Sequence, residues 1–290
     1  MHHFNIRDME NLTGIKAHSL RIWEQRFGLQ LCKRKESRHR YYDNEDLKHM
    51  LRISFLYHNG YKISQIANMG EEEIIQLASR KLGKDENEVY INRLLEASFD
   101  FDQIRFERIV QSTLVSLGLE RTIFKIIYPY LTRIGMLWLT NHVLPAQEHF
   151  CSCIIRHKII AAIDHLPPVN TTDKKIIVLF SPEEEYHEIP LLLMQYLLKK
   201  NHRPALLMGT NLSIETLQDY CAYKPVSHLY LHLITNLTNK EPGKYLDTLG
   251  GTFHSQKIIA SGPCFGEVEK APPNVRILRS LEENIQFSRE

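Results

Sequence analysis

Two groups of residues in this sequence combine a histidine with a nearby glutamate, side-chain types that can take part in binding a metal or a cofactor. His187 lies in the stretch SPEEEYHEIP, two positions after Glu185, between the apolar runs IIVLF and LLLMQYLL. Imidazole is a common metal ligand in proteins, so His187 is a candidate ligand on a strand-to-helix loop. The alternative is an exposed loop histidine, one of the 15 histidines in the chain.

The second group is Trp138 and, after nine intervening residues, Glu148 and His149. Taken alone, a tryptophan on a helix usually packs in a core, and Glu-His at a helix start is a feature of capping. Cys151 and Cys153 follow, but two positions apart on a helix they point to different faces. Because the sequence has no second cysteine pair, it does not favour a structural zinc site here.

The composition is that of an ordinary globular protein with two or three modules. The chain has 290 residues, of which 43% are hydrophobic and 24% charged, and its formal net charge is +2. Such a small charge predicts no general attraction to nucleic acid, so a DNA-binding surface must be a local one. Five scattered cysteines argue against a disulfide framework. The sequence shows neither a membrane-spanning apolar run nor a signal-peptide core, which predicts a cytoplasmic protein.

Residues 1–75 predict short helices and a basic hairpin. FNIRDMENLTG and IKAHSLRIWEQRFG read as two helices closed by Gly14 and Gly28, at the spacing of a helix-turn-helix. The basic run LQLCKRKESRHRYY follows, and a basic hairpin in this position is typical of a wing. A longer helix and a short one over KISQIANMG complete the region. A basic run alone is more often a solvated loop, but the helix-turn-helix before it favours DNA binding.

These residues resemble the DNA-binding domain of the MerR family of transcription regulators. The resemblance rests on TGIKAHSLRIWEQRFGL, RHRYYDNEDL and HNGYKISQIANM, in that order. It implies that the second helix enters the major groove, where basic side chains read guanine edges, and that the wing contacts phosphates. Trp23 and Phe27 are expected in the core because of their helical spacing from Leu20. The candidate DNA contacts are Lys16, His18, Arg21 and Arg26 on the helix, and Arg38, Arg40 and Tyr41 on the wing.

Residues 88–166 predict a four-helix bundle. Apolar residues recur at spacings of three and four in EVYINRLLEASF, FDQIRFERIVQSTLVSLG, ERTIFKIIYPYLTRIGMLW and AQEHFCSCIIRHKIIAAIDHL. Pro129 predicts a kink in the third helix. Residues 76–87 read as a linker before the bundle, and the segment PPVNTTDKK separates the bundle from the last region.

Residues 172–290 alternate short apolar strands with amphipathic helices. The strands are KIIVLF, PALLMG, SHLYLHLI, QKIIAS and VRILR, and this alternation predicts a doubly wound parallel sheet. In such a sheet, the loops after the carboxyl ends of the strands share one edge, where ligands bind. His187, Thr235-Asn236-Leu237 and Ser261-Gly262 follow three of the strands and are expected on that edge. The sequence offers no nucleophile-base pair, so it does not predict an enzyme.

The last two regions together resemble the cobalamin-binding module, a helical cap followed by a flavodoxin-like (Rossmann-type) domain. The signatures of that module are an acidic residue-x-His-x-x-Gly loop, a Ser/Thr-x-Leu and a Gly-Gly pair, and its regulator branch carries Trp, nine residues, then Glu-His. The resemblance implies that His187 replaces the dimethylbenzimidazole tail of the cofactor as lower cobalt ligand, with its second nitrogen held by Glu185. The implied cofactor-binding residues are Trp138, Glu148, His149, Glu185, His187, Thr235, Leu237, Ser261 and Gly262, with His187 as the metal ligand.

Two positions depart from these signatures. Pro190 stands where the loop motif has glycine, and Ser261 replaces the first glycine of the pair. Glycine permits close approach between backbone and ligand, so both changes narrow the space for the cofactor tail. Proline is well tolerated at the first position of a helix, so the fold itself is expected to persist.

The whole chain therefore resembles the CarH/LitR class of MerR-family, cobalamin-dependent, light-responsive repressors. This implies a winged helix-turn-helix, a four-helix cap and a flavodoxin-like domain, with adenosylcobalamin or methylcobalamin bound between the last two. It also implies a dimer or tetramer on a palindromic DNA operator. The alternative is a MerR-family regulator whose cobalamin site is degenerate and which responds to another ligand or a protein partner. A corrinoid methyl carrier would explain residues 88–290 but not residues 1–75.

Overall fold

The computed structural model describes residues 4–29, 33–34, 40–58, 60–79, 86–139, 145–170, 176–234 and 241–290. The contacts between residues divide the chain into two compact units, Met1–Ile154 and Ile155–Glu290. Among the described residues, no helix is long and apolar enough to cross a membrane.

The first unit begins with a helix-turn-helix and a wing, as the sequence predicts. Its helices are α1 (Ile6–Thr13), α2 (Ala17–Phe27), α3 (Asn44–His58), α4 (Ile63–Ile66) and α5 (Glu71–Ser79). The wing consists of the antiparallel strands β1 (Lys33–Arg34) and β2 (Arg40–Tyr41). The sequence analysis did not predict α5, which extends to Ser79 and therefore covers the start of the predicted linker 76–87. The domain limits themselves stay predictions.

A group of longer helices follows, and the four predicted segments are all helical. They are α6 (Glu86–Phe99), α7 (Gln103–Leu117), α8 (Leu119–Thr122), α9 (Tyr128–Leu139) and α10 (Pro145–Asp164). The third predicted helix is formed by α8 and α9 with a π-helical segment, Ile123–Ile127, between them. This irregular segment ends two residues before Pro129, the residue at which the sequence predicts a kink. Proline lacks the N–H that would continue the regular hydrogen-bond ladder.

A buried carboxylate joins α3 to this group of helices within the first unit. Glu96 on α6 accepts a hydrogen bond from Arg52 Nε on α3 at 3.0 Å and another from Arg105 Nη2 on α7 at 2.7 Å. Lys48 on α3 forms a further ion pair with Asp100, just beyond the end of α6. Because Glu96 is buried, removing either arginine would leave a charge that water solvates poorly.

The second unit contains the predicted doubly wound sheet. All five predicted strands form, as β3 (Ile176–Pro182), β4 (Ala205–Leu212), β5 (Val226–His232), β6 (Lys257–Ser261) and β7 (Val275–Leu278). Every neighbouring pair is parallel, and the strand order is β4-β3-β5-β6-β7, the order of flavodoxin-like sheets. The connecting helices are α11 (Ile189–Lys200), α12 (Ile214–Tyr223), α13 (Pro242–Thr252) and α14 (Leu281–Arg289).

Successive side chains of a strand point to opposite faces of the sheet, so a hydrophobic core forms on each face. On β5, for example, Leu229 and Leu231 belong to one core, whereas Tyr230 belongs to the other, together with Leu191 of α11 and Phe287 of α14. After β3 the chain continues into α11 on this second face, whereas after β5 it continues into α13, whose Leu246 and Leu249 belong to the first core. The carboxyl ends of β3, β5 and β6 carry the loop of His187 and the residues His232 and Ser261.

Candidate DNA-binding surface and cofactor site

The second helix of the helix-turn-helix, α2, presents a polar face to solvent. Leu20 and Trp23 are buried, and Trp23 packs edge-on against Tyr57 with ring centroids 4.9 Å apart. The expectation that Trp23 belongs to the core is therefore confirmed, while Phe27 is only partly buried. Residues three and four apart share a helix face, so the exposed residues form one surface. They are His18, Arg21, Ile22, Gln25 and Arg26.

The turn before α2 fixes the direction of this surface. Gly14 ends α1 in the left-handed conformation, with φ 71°, and its N–H donates to the carbonyl of Glu10. The Glu10 carboxylate accepts hydrogen bonds from Lys16 Nζ at 2.9 Å and from the Ala17 N–H at 3.0 Å. The hydrogen bond from Lys16 is the main cause that lowers the pKa of Glu10. Lys16 thus lies exposed at the start of α2, as predicted for a DNA contact.

The wing is attached to α2 by an ion pair. Arg40 on β2 donates from Nε to Oε2 of Glu24, at 2.8 Å, and the side chain of Glu24 is only 11% exposed. This contact gives Arg40 a positioning role that the sequence analysis did not foresee, and its predicted phosphate contact stays a prediction. Tyr41 pairs with Lys33 across the hairpin, and Lys33 forms an ion pair with Asp43. Arg38 lies outside the described residues.

The predicted cap residues lie at the ends of two helices of the first unit. Trp138 is on α9, and its side chain is not among those described. Glu148 and His149 stand in the first turn of α10, where Glu148 Oε2 lies 3.1 Å from His149 Nδ1. The His149 side chain is 77% exposed. The structure therefore places both as solvent-accessible residues rather than as parts of the helical core.

The neighbours of Glu148 and His149 on α10 are tied into a buried polar cluster. Gln147 donates from its amide to the carbonyl of Ser98 at 3.4 Å. The hydroxyl of Ser98 lies 2.5 Å from the Tyr130 hydroxyl and 3.2 Å from Sγ of Cys151. Burial raises the pKa of Cys151 to about 11, so this thiol stays protonated at neutral pH. These contacts hold the first turns of α10 in a single orientation.

In the second unit, His187 lies on the loop between β3 and α11, and Glu185 holds its ring. Glu185 is almost completely buried, and its Oε1 lies 2.5 Å from His187 Nδ1 and 2.9 Å from the His187 N–H. The other carboxylate oxygen, Oε2, accepts a hydrogen bond from the Ile234 N–H at 2.8 Å. A carboxylate in this position keeps the proton on Nδ1 and leaves Nε2 as the nitrogen with a lone pair. The His187 side chain is 44% exposed.

The carboxyl ends of β5 and β6 lie beside this loop and carry a group of hydrogen-bonded side chains. Ser261 Oγ lies 2.7 Å from Nδ1 of His232 and 2.8 Å from the hydroxyl of Tyr230. Tyr230 also donates to Oδ1 of Asn284 on α14 at 2.9 Å. Burial lowers the pKa of His232 to about 4, against an opposing effect of Glu185. We call Tyr230, His232, Ser261 and Asn284 the strand-end cluster.

The structure thus brings together Glu185, His187 and Ser261 as the sequence predicts. Gly262 is required by the backbone, because a Cβ at this position, with φ 110°, would lie 2.3 Å from the carbonyl oxygen of Leu233. Thr235 and Leu237 lie outside the described residues. The sequence analysis missed Tyr230, His232, Ile234 and Asn284. Alternation along SHLYLHLI was the available signal, because it places Tyr230 and His232 on the same face.

Pro190 lies in the first turn of α11 and is buried. The expectation that the fold tolerates proline here is confirmed, since the missing N–H has no helical partner at this position. Glu188, two residues before Pro190, forms an ion pair at 2.6 Å with Arg156, which lies in the part of α10 that belongs to the second unit. The loop of His187 is therefore fixed at both of its ends.

His187 offers one ring nitrogen, Nε2, that can bind a metal. Among the described residues, no group of three or more histidine, cysteine or carboxylate side chains is placed to hold a metal ion. A single imidazole with its Nδ1 held by a carboxylate suits a metal that is already bound in a macrocycle. The residues present therefore fit the cobalt end of a corrinoid. At positions 190 and 261, the cobalamin-binding signature has glycine. The side chains of Pro190 and Ser261 fill space that glycine would leave open.

Two protein families match successive parts of the chain. Residues 4–73 match the family described as MerR HTH family regulatory protein. Residues 90–162 match the family described as B12 binding domain. The first match covers the helix-turn-helix, the wing and the helices behind it, and the second covers the helices from α6 to α10.

Two curated proteins of Myxococcus xanthus are similar to the chain. The HTH-type transcriptional repressor CarH is 24% identical over 65% of this chain and 64% of CarH. The HTH-type transcriptional repressor CarA is 22% identical over 74% of this chain and 71% of CarA. The chain therefore matches about two thirds of the length of these relatives.

Among solved structures, the monomethylamine corrinoid protein of Methanosarcina barkeri is similar in fold. The TM-score is 0.56 at 14% identity, and the match covers 70% of this chain and 98% of that protein. The likeness supports the combination of helices and a Rossmann-like parallel sheet. At this identity it says nothing about the ligand of the present chain.

Proposed function

We propose that this chain, a CarH-like protein of the MerR type, is a sequence-specific DNA-binding repressor that a corrinoid cofactor controls. The observation that carries the cofactor part is the hydrogen bond from His187 to Glu185, which keeps Nε2 of an accessible imidazole as the metal donor. The repressor part rests on the MerR match of residues 4–73 and on the likeness to two repressors.

For DNA, the exposed face of α2 supplies the base contacts. Arg21 and Arg26 carry the planar guanidinium groups that bind guanine edges, and His18 and Lys16 lie toward the start of the helix. The wing, with Arg38, Arg40 and Tyr41, supplies backbone contacts that fix the register. Because each chain offers one such helix, a palindromic operator is read by symmetric copies, as a dimer or a tetramer.

For the cofactor, we assign His187 as the lower cobalt ligand and Glu185 as the residue that orients it. When bound, a cobalt corrinoid supplies a visible chromophore and, with an alkyl upper ligand, a cobalt–carbon bond that light cleaves. We assign Trp138, Glu148 and His149 to cofactor contacts from the helical unit. Ser261 and Gly262 are assigned to the sheet unit, with Thr235 and Leu237 as further candidates.

Control of DNA binding by the cofactor follows from the thermodynamic linkage between the two binding equilibria. A ligand changes DNA affinity only if it binds the DNA-competent state of the protein with a different affinity. A light-driven change of the cobalt ligands at His187 would alter that difference, and so we propose that the chain senses light. The accompanying change in the number of associated subunits would alter the occupancy of a palindromic operator.

A second function is favoured by a specific observation. Pro190 and Ser261 both carry side chains where the family signature has glycine, and both are buried. A chain with this site closed to corrinoids would be a DNA-binding regulator that responds to another ligand or to a protein partner.

One experiment separates the two functions. The purified protein is mixed with adenosylcobalamin in the dark and desalted, and its visible spectrum is recorded before and after green light. Retained corrinoid with a light-dependent spectrum, reduced by His187→Ala but not by the exposed control His254→Ala, supports the first function. Protein that retains no corrinoid of any kind, but still selects a DNA sequence, supports the second.

A further inference from the structure

The strand-end cluster fills the sheet side of the His187 site. Ser261 is completely buried, and its hydroxyl joins Tyr230 on β5 to His232 at the end of the same strand. The Tyr230 hydroxyl in turn donates to Asn284 on α14. These side chains therefore occupy the region between the strand ends and α14 and are hydrogen-bonded to one another.

The strand-end cluster also packs against a buried hydrophobic core. The Tyr230 ring stacks on Phe287 of α14, with centroids 6.0 Å apart and ring planes inclined by 11°. Both rings belong to the buried core between the sheet, α11 and α14. A group that entered here would have to displace an aromatic side chain from a close-packed core, and such cores do not expand freely.

The backbone around the cluster resists opening as well. The Ile234 N–H, two residues after His232, is bonded to the same Glu185 carboxylate that holds His187. Gly262, directly after Ser261, lies so close to Leu233 that a Cβ would meet its carbonyl oxygen at 2.3 Å. Separating β5 from β6 to admit a ligand would break the hydrogen bond from the Leu233 N–H to the carbonyl of Ser261. Separating the loop of His187 from the end of β5 would break the hydrogen bond between Glu185 and the Ile234 N–H.

These contacts limit which part of a corrinoid can bind against the sheet. If His187 ligates cobalt, the corrin ring lies on the exposed side of the imidazole. Any group that hangs from the lower face must then pass beside His187. The sheet side of that passage is occupied by the strand-end cluster, and Pro190 occupies the first turn of α11.

We propose that the strand-end cluster determines corrinoid specificity by excluding a lower nucleotide from the sheet. The chain then prefers corrinoids that lack the nucleotide, the cobinamide class, over complete cobalamins. Ser261 and His232 are the specificity-determining residues, because Ser261 carries a side chain where the signature has glycine and His232 is hydrogen-bonded to it at the end of β5. This inference rests on the proposed ligation of cobalt by His187.

The test compares adenosylcobinamide with adenosylcobalamin in the dark. Each is titrated into the full-length protein, and the dissociation constant is obtained from the change in the visible spectrum. Cobalamin's own base must leave cobalt before His187 can bind, and the equilibrium constant for that step is obtained by acid titration of free adenosylcobalamin and of its detached base. Dividing the protein's preference by this equilibrium constant isolates the contribution of the sheet.

The expected result is a corrected preference for cobinamide of about tenfold or more, which corresponds to about 1.4 kcal/mol. The double variant Ser261→Gly/His232→Ser should reduce this preference, because it should tighten cobalamin binding more than cobinamide binding. The double variant Ser227→Gly/His228→Ser, which makes the same two exchanges at the opposite end of β5, is the matched control and should retain the preference. If the double variant fails to fold, the wild-type comparison still decides.

A corrected preference near one, or one for cobalamin, would overturn this inference and leave the proposed corrinoid control intact. The same applies to a double variant that folds but keeps the full preference. Binding of neither corrinoid to the wild-type protein would instead overturn the corrinoid part of the proposed function, and this inference with it.

Discussion

The buried Glu185 carboxylate lies 2.5 Å from Nδ1 of His187 through one oxygen and binds the Ile234 N–H through the other. Two neighbouring elements, the loop after β3 and the end of β5, are thus joined by a single carboxylate. Because that carboxylate sets both the tautomer and the direction of the imidazole, the capacity of His187 to bind a metal depends on it.

Replacing Glu185 by Gln should therefore weaken corrinoid binding by about 10–100-fold, the range seen when the partner of a metal-bound histidine is lost. The carboxylate binds the N–H and Nδ1 of His187 through one oxygen and the Ile234 N–H through the other. An amide can accept with its oxygen on only one of these two sides and presents its NH₂ to the other. Titration followed by absorbance measures the effect. Glu183→Gln, on the same loop but exposed, is the control, and an equal loss in both variants would contradict the role of Glu185.

Arg21→Ala should reduce specific DNA binding by about 1–3 kcal/mol and relax the sequence preference at one base position. Arg21 lies on the exposed face of α2, the face that we propose for base contacts. The operator is first obtained by selection from random duplexes, and affinities are then measured by fluorescence anisotropy at fixed salt. Arg121→Ala removes an exposed arginine from α8 and should leave both properties unchanged.

Arg40→Ala should lower thermal stability as well as DNA affinity. The pair with Glu24 is largely buried, so removing the arginine leaves a carboxylate poorly solvated, at a cost of about 1–3 kcal/mol. A residue that only contacted phosphate would change the salt dependence of binding without changing the melting temperature. The melting temperature of the variant, measured by circular dichroism, decides between a positioning role and a phosphate contact alone. An unchanged melting temperature would contradict the positioning role.

The second unit should lose stability as the pH falls below about 6.5, the ordinary pKa of histidine. Burial lowers the pKa of His228, with Arg203 and Lys257 acting in the same direction and Glu290 against it. In this pH range the unfolded chain binds a proton that the folded chain binds less readily, so the free energy of unfolding decreases. At higher pH the residue is neutral in both states and this loss is absent.

Urea denaturation at several pH values tests the effect of His228. The variant His228→Gln should show a shallower decrease in the free energy of unfolding between neutral pH and the folded-state pKa. The exposed His254→Gln serves as the reference. Equal slopes in the wild type and His228→Gln would show that burial of this imidazole does not contribute.

Much of the fold could be predicted from the sequence because its elements have strong local patterns. The five parallel strands are apolar runs, and the helices of the first unit follow capping residues and glycines such as Gly14 and Gly28. The helix α5 was missed because three consecutive glutamates begin it and its apolar stripe is short. Acidic residues in a first turn in fact stabilise a helix start.

The site was only partly predictable. Glu185 and His187 are two residues apart, so their pairing follows from one loop. The strand-end cluster joins β5, β6 and α14, and its contacts depend on the register of the sheet and on the packing of Asn284. The pair of Arg40 with Glu24 likewise depends on how the wing folds back on α2. Neither arrangement leaves a pattern in neighbouring residues.

Coordination of cobalt by the imidazole of His187 is tested most directly by electron paramagnetic resonance of the protein loaded with a cobalt(II) corrinoid. Cobinamide is used because it has no base of its own. A protein nitrogen bound to cobalt splits each cobalt line into three, and labelling histidine with the spin-one-half isotope of nitrogen changes the three lines into two. The account predicts this change in the wild type and in His254→Ala, and no nitrogen splitting in His187→Ala. Spectra without nitrogen splitting in the wild type, or with splitting that persists in His187→Ala, would contradict it.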